Sequence, residues 1–572
     1  MVGTTPKSQL ILGYTDLVQP TLPEHRLELI KKLSKDVVLG EIAGLNYRLK
    51  TNKSKFADTS LETQRKELYY FCGTIDVLYR KYNSRFSKYI TSNKDYPLLF
   101  TRAVCLFAME EIINADLSTI SGFSMADSWE SLFQYMLCVN NQITHLTDSL
   151  DRKENKSSFS LEELNPRIIP LGELAIESDP VYVPNRSYFL MDFLSKHDVL
   201  GIYFKQYLQD TYSMNYEQLV YTLFSMYLAN NKNGENNIKN EYAGEIDTSF
   251  YYQVEKTSLS TFIALSKVIK NDKPERLISI RKYPFYHIDG NRFILFDNIL
   301  LLDKGYNQLI NDFWFDKVKP LQSEIDKPLF TIKYYRSTIG YFFEWYTKQL
   351  FQTSFANAKY WTCKCFDELK VEKDGQTIEL ADFYVRYNSK IFIGQAKTTG
   401  LYDNEKFGGE VDVLYKNKRE DFFKTFGVNQ IIESIINLDA AADQFDKSFP
   451  KGKSYHIYPA IIVNDKALQT PFMANVFNAR FQEMFLAIKL QKITVFPLSI
   501  IHVSDLEQME DNLNTNPKLF WQILDYNRRN PKFIPPFFNT LNLLGIKAKY
   551  KNPKKLFYEL IPKYQIINEI KQ

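Results

Sequence analysis

The sequence predicts a multidomain protein of the α+β or α/β class. It has a mostly α-helical N-terminal region, a small β-hairpin module, and then an α-β-β-β-α-β domain with a mixed sheet. Three observations lead to this prediction. A chain of 572 residues is too long for a single hydrophobic core. Apolar residues recur at helical spacing through the N-terminal half, and alternating patterns typical of strands begin near residue 278.

These patterns divide the chain into four predicted segments. Residues 1–255 form a helical domain, residues 256–330 a connecting helix and β-hairpin module, residues 331–510 the α/β domain, and residues 511–572 a basic, aromatic C-terminal tail. The first segment contains no catalytic constellation, so we expect it to serve recognition or regulation.

Two polar stretches interrupt the helical pattern of the first segment. Residues 151–166 are polar and end in Asn-Pro, which predicts a loop. Residues 230–245 are rich in Asn and poor in apolar side chains, and we expect a mobile loop or linker there.

The β-hairpin module is predicted from residues 278–302. Apolar and polar residues alternate on both sides of Asp289-Gly290, and this dipeptide is a strong signal for a two-residue hairpin turn.

Composition excludes several classes of protein. The net charge of +4 excludes a general polycation, so any nucleic-acid surface must be local. Five cysteines without a CxxC pair argue for a reducing compartment and against a zinc site or disulfide framework. The N-terminal residues lack the pattern of a signal peptide, and no run of about 18 apolar residues occurs. We therefore expect a cytoplasmic protein that does not enter a membrane.

The order of elements becomes specific after residue 335. A helical pattern comes first, followed by three strand patterns, a second helix and a further strand, which together predict a mixed sheet with helices on its faces. A last helix and strand follow. In chain order the predicted elements cover residues 337–352, 359–372, 378–389, 390–398, 426–438, 456–465, 472–490 and 493–503.

Three polar residues stand out within this domain. Asp382 lies among apolar residues of a predicted strand, where an ionised carboxylate is costly unless it meets a cation. Gln395 and Lys397 lie on the next predicted strand, two residues apart and so on one face. If the two strands are adjacent and antiparallel, the three side chains converge at one point. Such a point suits a divalent cation beside a phosphate, with a lysine to hold the attacking water.

This pattern resembles the PD-(D/E)XK nuclease superfamily, and within it the QxK variant of Mrr-like restriction enzymes. The resemblance covers roughly residues 335–510, about a third of the chain. The chain differs from the family pattern in two places: Ala381 replaces the proline before Asp382, and Gln395 replaces the second acid. The proline does no chemistry, whereas a neutral amide binds a hard cation less strongly than a carboxylate does.

The resemblance implies a set of site residues. Glu344, in the motif GYFFEWY, matches an additional acidic ligand of the family. Mg²⁺ or Mn²⁺ would be held by Glu344, Asp382, the Gln395 amide oxygen and the Ala396 carbonyl. Lys397 would position the water and offset charge in the transition state. Gln430 matches a glutamine that several branches carry near the active site or the nucleic-acid backbone.

The C-terminal tail is the second candidate binding surface. Ten Lys or Arg and two Glu between Tyr526 and Gln572 give this segment a net charge of +8, and aromatic residues interleave the charges. Basic residues with aromatic platforms suit a nucleic-acid strand. The alternative is a proline-anchored tail whose aromatics pack on the core and whose lysines are solvated. The residues singled out for binding are Arg528, Arg529, Lys547, Lys549, Lys551, Lys554 and Lys555.

These observations favour a Mg²⁺- or Mn²⁺-dependent nuclease, with DNA preferred over RNA, that acts as a bacterial restriction or anti-phage effector. One alternative is a non-catalytic nucleic-acid-binding or assembly subunit on a degenerate nuclease scaffold. Another is an RNA-cleaving toxin, because the 2′-OH is recognised outside the hydrolytic centre. A homo-oligomer or a regulatory protein partner is also compatible with the sequence. Structural roles stay open for single residues: Lys397 as a strand-end lysine, and Asp382 as an ion-pair partner of Arg386.

Overall fold

The computed structural model describes an α+β protein that forms two compact units. The first comprises Met1–Asn155 and Leu174–Lys317, and the second Lys156–Glu173 and Val318–Gln572. The predicted hairpin module thus belongs to the first unit up to Lys317, and its last residues, like the predicted tail, belong to the second. The described residues are 8–49, 60–72, 76–90, 95–117, 125–148, 169, 172–176, 178–241, 251–254, 256, 258–270, 276–324, 330–373, 375–401, 419–486, 488, 492–529 and 533–570.

The first unit is largely helical. Its strands are β1 (Ser8–Ile11), β2 (Asp95–Leu98), β3 (Tyr251–Gln253), β4 (Phe285–Asp289) and β5 (Arg292–Leu295). Its α-helices are α1 (Tyr14–Leu17), α2 (Lys35–Arg48), α3 (Leu61–Phe71), α4 (Asp76–Ser87), α5 (Arg102–Asn114), α6 (Met125–Asp148), α7 (Tyr182–Lys196), α8 (Gly201–Tyr212), α9 (Tyr216–Glu241), α10 (Leu259–Ala264), α11 (Ile278–Lys282), α12 (Asn298–Asp303) and α13 (Asn307–Phe313). A 3-10 helix lies at Arg26–Leu29 and a π-helical segment at Trp314–Val318.

The strands of this unit form two small sheets. β1 pairs with β2 in parallel, and β3, β5 and β4 form an antiparallel sheet in that order. The predicted hairpin is confirmed, since β4 and β5 pair across a turn in which Gly290 has φ +45°. A glycine adopts this left-handed conformation without the steric cost that a Cβ would bring.

The prediction of a loop at residues 230–245 is wrong for most of its length. The helix α9 continues through the Asn-rich stretch as far as Glu241, and residues 242–250 lie outside the described part of the chain. Helix growth adds one hydrogen bond for each residue once a nucleus exists. A helix begun by the apolar start of α9 therefore extends through residues of only moderate helix propensity. The predicted loop at 151–166 also lies outside the described residues.

The second unit contains the predicted α/β domain and the C-terminal segment. Its strands are β6 (Thr362–Cys365), β7 (Lys370–Lys373), β8 (Gln376–Glu379), β9 (Phe383–Tyr387), β10 (Lys390–Lys397), β11 (Tyr455–Val463), β12 (Ile493–Val495) and β13 (Ser499–His502). Its α-helices are α14 (Lys319–Glu324), α15 (Ile332–Phe355), α16 (Arg419–Thr425), α17 (Val428–Ala441), α18 (Met473–Phe485), α19 (Val503–Thr515), α20 (Leu519–Asn527), α21 (Phe537–Leu543) and α22 (Lys551–Ile570). Short 3-10 segments lie at Phe366–Leu369, Ala442–Gln444 and Lys466–Gln469.

A mixed sheet forms the centre of this unit. Its strand order is β12-β11-β10-β9-β6, and β13 also pairs with β11. The pairs β6–β9 and β9–β10 are antiparallel, whereas β11 is parallel to β10, β12 and β13. The strands β10, β11 and β13 therefore end at the same edge, where Lys397 is in register with Val463 and Val463 with His502.

Helices cover both faces of the sheet. On one face, Ile431 and Ile435 of α17 share a buried core with Ile391 and Ile393 of β10. On the other, Phe351 of α15 stacks on Phe383 of β9 with the ring centroids 4.2 Å apart. Because side chains alternate along a strand, Gln395 and Lys397 of β10 also face α17.

Three strands that the sequence predicts as continuous are interrupted. The strand predicted at 359–372 is split into β6 and β7 by a 3-10 turn that begins at Phe366, whose φ is +51°. The strand predicted at 378–389 is split into β8 and β9. The strand predicted at 493–503 is split into β12 and β13. In each case the local alternation is right, but the two halves pair with different partners or at different positions along a partner.

Candidate active site

Asp382 lies in the break between β8 and β9, and the prediction that it sits inside a strand is therefore wrong. The backbone of this break is held from both sides. The Asp382 N–H donates to the Gly394 carbonyl at 3.1 Å, and the Asp382 carbonyl accepts from the N–H of Phe366 at 2.9 Å. The bend turns the carboxylate toward β10, where its Oδ2 accepts from the Ala396 N–H at 2.6 Å.

The two strands at the site pair in the way that convergence of the three polar residues requires. β9 and β10 are antiparallel neighbours, with Gly394 opposite Phe383. Asp382, one residue before that pair, therefore meets residues 394–396 at the end of β10. The structure brings Asp382 together with Gln395 and Ala396, and leaves Lys397 as the last residue of the same strand.

Gln395 is buried, with 5% of its surface exposed, between Asp382 and the helix α17. Its side-chain amide lies 3.3 Å from Ser434 Oγ on one side. With its NH₂ turned to the other side, it donates to the two carboxylate oxygens of Asp382 at 3.3 and 3.1 Å. This orientation satisfies the carboxylate, because an amide oxygen facing it would oppose two acceptors. Ser434 is anchored in turn, since its hydroxyl donates to the Gln430 carbonyl at 2.8 Å.

Lys397 extends over Gly427, the residue immediately before α17. A Cβ built on Gly427 would lie 2.6 Å from Lys397 Cε and 3.4 Å from Gln430 Oε1. The side chains of Lys397 and Gln430 thus both approach Gly427. The structure therefore brings Gln430 close to the predicted lysine, as a residue on the rim of the site.

Glu344 reaches the same edge of the sheet from α15. Gly340, one turn earlier on that helix, faces Thr398, since a Cβ at 340 would lie 4.0 Å from Thr398 Oγ1. Burial raises the pKa of the Glu344 carboxyl, the charge of Glu379 raises it further, and Lys397 lowers it. These interactions show that Glu344 shares its electrostatic surroundings with Lys397.

Glu379 is a site residue that the sequence reasoning missed. It ends β8, three residues before Asp382, and its side chain is exposed to solvent. Partial desolvation of its carboxyl group is nevertheless the largest cause that raises its pKa, and Lys370 and Lys397 oppose the rise. The pattern ELAD, with two acids three residues apart around a break, is the signal that could have identified it.

The carboxyl groups leave this edge with more negative charge than Lys397 compensates. Burial raises the pKa of Asp382 to about 7, and the neighbouring Glu379 and Glu344 add to the rise, although the Ala396 N–H and Lys397 act against it. A cation with oxygen ligands would relieve this charge. Within the described residues, however, no three His, Cys, Asp or Glu side chains are arranged to hold a metal ion.

The open alternative in which Asp382 pairs with Arg386 is wrong. Arg386 instead forms an ion pair with Asp446 on the face of the sheet that packs against α17, and both side chains are buried. The hydroxyl of Tyr384 donates to the same carboxylate at 2.8 Å. Asp382 is therefore left without this structural partner.

Asp382, Glu344 and Glu379 lie at one edge of the sheet, which we call the carboxyl edge. Arg528 lies at the opposite end of the sheet. Its guanidinium contacts Asp525 at 2.7 Å, and Asp525 also binds Lys390, the first residue of β10. Seven residue steps of about 3.3 Å separate Lys390 from Lys397, or roughly 23 Å. Arg529 stacks over Tyr526, with its guanidinium carbon 4.5 Å from the ring centroid. The structure does not bring these two arginines to the candidate site.

The basic tail forms helices rather than an irregular segment. Its aromatic residues Phe537, Phe538 and Phe557 are buried, which agrees with the packed alternative for the aromatics. Its predicted lysines are solvent-exposed and remain a predicted contact surface for nucleic acid: Lys547, Lys549, Lys551, Lys554 and Lys555.

Comparisons of the chain with protein-family models, with curated proteins and with solved structures gave no match. Only the geometry of the site therefore bears on the function of this chain. In the described part of the chain, no helix has the length and apolar character needed to cross a bilayer.

Proposed function

We propose that this protein is a metal-dependent nuclease that hydrolyses phosphodiester bonds, with DNA favoured over RNA, and that it acts as a restriction or anti-phage effector. The proposal extends the resemblance to PD-(D/E)XK enzymes of the QxK type. One observation supports it most strongly: Asp382 accepts from the Ala396 N–H beside Gln395, and Lys397 follows on the same strand. A half-buried carboxylate, an amide and a lysine thus share one sheet edge.

The donor set suits Mg²⁺ or Mn²⁺, because both prefer oxygen ligands. Asp382 and Glu344 would hold the ion, and the Ala396 carbonyl would add a neutral oxygen. The Gln395 amide would add a second neutral oxygen after turning its oxygen toward Asp382, where its NH₂ lies in this structure. Glu379 lies close enough to affect the pKa of Asp382, and would hold a coordinated water. When bound, such an ion polarises a phosphoryl oxygen and lowers the pKa of a bound water.

Lys397 would orient the attacking water and stabilise the charge that develops on the phosphate. Its position over Gly427 directs the ammonium group past the start of α17, where Gln430 also lies. Gln430 would contact the nucleic-acid backbone from there. Asp382 would hold its place through the Ala396 N–H while the substrate binds.

A non-catalytic nucleic-acid-binding subunit on a degenerate nuclease scaffold is the second candidate. The observation that favours it is the amide of Gln395, whose NH₂ donates to both oxygens of Asp382. In this arrangement, an N–H donor already binds the carboxylate oxygens that a nuclease would use to hold a cation. Cleavage of RNA stays an alternative for the catalytic hypothesis, because a hydrolytic centre acts on the phosphate in either polymer.

The test is cleavage of plasmid, linear DNA and RNA by the full chain with Mg²⁺ or Mn²⁺ and with chelator. We expect metal-dependent cleavage that Asp382→Ala and Lys397→Ala abolish. Lys390→Ala is the matched control, since this lysine begins the strand that Lys397 ends. Wild-type cleavage rates in both site variants would overturn the proposal. Salt-sensitive binding that chelator does not change, without any cleavage, would favour the non-catalytic candidate.

A further inference from the structure

Exposed aromatic residues run along α15 beside the candidate active site. Tyr341 and Trp345 leave 65% and 39% of their surfaces exposed. Lys348, three residues after Trp345, is partly exposed. Because residues three or four apart share a helix face, these side chains form one continuous strip, which we call the α15 stripe (Tyr341, Trp345 and Lys348).

The stripe borders the candidate site directly. Glu344 is three residues after Tyr341 and four residues before Lys348, so it lies along the same side of the helix. Gly340, next to Tyr341 in the chain, faces Thr398 just beyond Lys397. A ligand bound along the stripe would therefore lie next to the carboxyl edge of the sheet.

The core of the unit does not require aromatic residues at these positions. The opposite face of α15 already supplies Phe342, Phe343 and Tyr346, each no more than 3% exposed. Trp345 also contacts Phe342, with the ring centroids 6.1 Å apart, and keeps 39% of its surface exposed. Tyr and Trp side chains that are exposed next to each other are a common feature of interaction sites, where both residue types are enriched.

The charge of the helix selects the kind of partner. α15 contains three cations, Lys333, Arg336 and Lys348, and a single acid, Glu344. This excess of cations favours a polyanion along α15, with Lys348 as the cation of the stripe itself, whereas the neighbouring carboxyl edge would need a bound cation before a phosphate approached it. Aromatic rings beside basic residues are the combination that binds single-stranded nucleic acid, with bases stacked on the rings and phosphates at the cations.

We infer that the α15 stripe binds an unpaired stretch of nucleic acid, with bases stacked on Tyr341 and Trp345 and a phosphate at Lys348. The inference depends on the proposed function, since it assigns to the same site a substrate that carries unpaired bases next to the bond to be cut. The two rings lie one helical turn apart, about 6 Å along the axis. Each could therefore stack on a different base of an extended strand.

The test is binding of a short fluorescent oligothymidine and of a blunt duplex to the full chain in EDTA, which prevents cleavage by a cation-dependent centre. We expect Tyr341→Ala/Trp345→Ala to weaken binding of the single strand by at least about tenfold, and that of the duplex much less. Tyr341→Phe/Trp345→Phe should bind nearly as the wild type does, because the aromatic faces remain. Tyr360→Ala is the matched control, since this tyrosine is 96% exposed but lies beyond the end of α15.

Wild-type affinity of the alanine double variant for the single strand would overturn the inference, as would an equal loss for strand and duplex. Failure of the wild type to bind either oligonucleotide would also overturn it and leave a protein as the partner of the stripe. The proposed nuclease fails separately, if Asp382→Ala cleaves as the wild type does. In that case selective loss of single-strand binding would still support the stripe as a binding surface.

Discussion

Lys397 and Gly427 are in such close contact that a side chain at residue 427 would displace the lysine. A Cβ there would lie 2.6 Å from Lys397 Cε, a distance that real Cβ contacts essentially never show. Gly427 also has φ +86°, a left-handed conformation that favours glycine. Glycine at position 427 therefore meets two requirements: it adopts a positive φ without strain, and it leaves room for the Lys397 side chain.

We predict that Gly427→Ala impairs catalysis far more than it impairs folding. The added methyl group should move the Lys397 ammonium, and a shift of about 1 Å in a catalytic group can lower the rate about a hundredfold. Gly452→Ala is the matched control, because Gly452 has φ +72° but open space around its Cβ position. Both variants should lose about 1–2 kcal/mol of unfolding free energy from backbone strain. Equal cleavage rates for the two variants, measured with saturating Mg²⁺, would contradict the positioning of Lys397 by Gly427.

Replacement of Gln395 by Glu should strengthen metal binding. Gln395→Glu supplies the second acid of the family pattern next to Asp382, and metal affinity rises with the charge of the ligands. We expect a gain of about an order of magnitude in Mn²⁺ affinity by calorimetric titration. Without metal, the variant should be less stable than the wild type at neutral pH, because two adjacent carboxylates, one of them buried, would then repel each other.

The exposed substitution Gln376→Glu on β8 controls for the added charge alone. It should leave Mn²⁺ affinity at the wild-type value. If the two variants bind the ion with the same affinity, residue 395 does not face a metal site.

The stability of the second unit should depend on Glu510 as pH changes. Burial raises the pKa of this carboxyl from 4.5 to about 7, with a further rise from the neighbouring Asp511 and Glu507. Its folded-state pKa exceeds the unfolded value, so the folded state holds the proton more tightly. Glu510 therefore lowers stability progressively as pH rises from 4.5 to about 7, and the loss is complete above that range.

Glu510→Gln removes this titration and can still accept the hydrogen bond from Asn552, which is 3.0 Å long in the wild type. We expect the variant to be more stable than the wild type by about 2 kcal/mol at about pH 8.5, and to match it below pH ~5. Chemical denaturation at the two pH values measures the difference. A gain of the same size at both would rule out ionisation of Glu510 as its cause.

In the first unit, we predict that Asp297→Ala is severely destabilising. The Asp297 carboxylate is fully buried and pairs with Arg102 at 2.8 Å. It also caps α12 by accepting from the N–H groups of Ile299 and Leu300 at 2.8 and 2.9 Å. Its loss leaves a buried guanidinium without its partner, which costs about 3–5 kcal/mol.

Glu28→Ala is the matched control for the loss of an ion pair in the same unit. The pair of Glu28 with Lys31 is more than half exposed on both sides, and such surface pairs stabilise little. We expect no measurable change in the urea midpoint for this variant, against a large decrease for Asp297→Ala. Similar midpoints for the two variants would show that the buried pair does not support the fold.

Local patterns predicted the elements around the site well, because each depends on residues near in sequence. The helix over 337–352, the strand over 390–398 and the helix over 426–438 correspond to α15, β10 and α17. The spacing of Gln395 and Lys397 also placed both on one face, since side chains alternate along any strand. Predictions failed where backbone conformation changes within a few residues, as at Phe366 with its positive φ.

The sequence by itself determined that a carboxylate, an amide and a lysine would lie on neighbouring segments of an α/β unit. Only the tertiary structure decided their surroundings. The bend before β9 turns Asp382 onto the Ala396 N–H, and Glu379 approaches from β8, which belongs to a separate two-stranded sheet. Gly427 comes under Lys397 from thirty residues away in the chain. Contacts of this kind join segments distant in sequence, and they depend on how sheets and helices pack, which no local periodicity records.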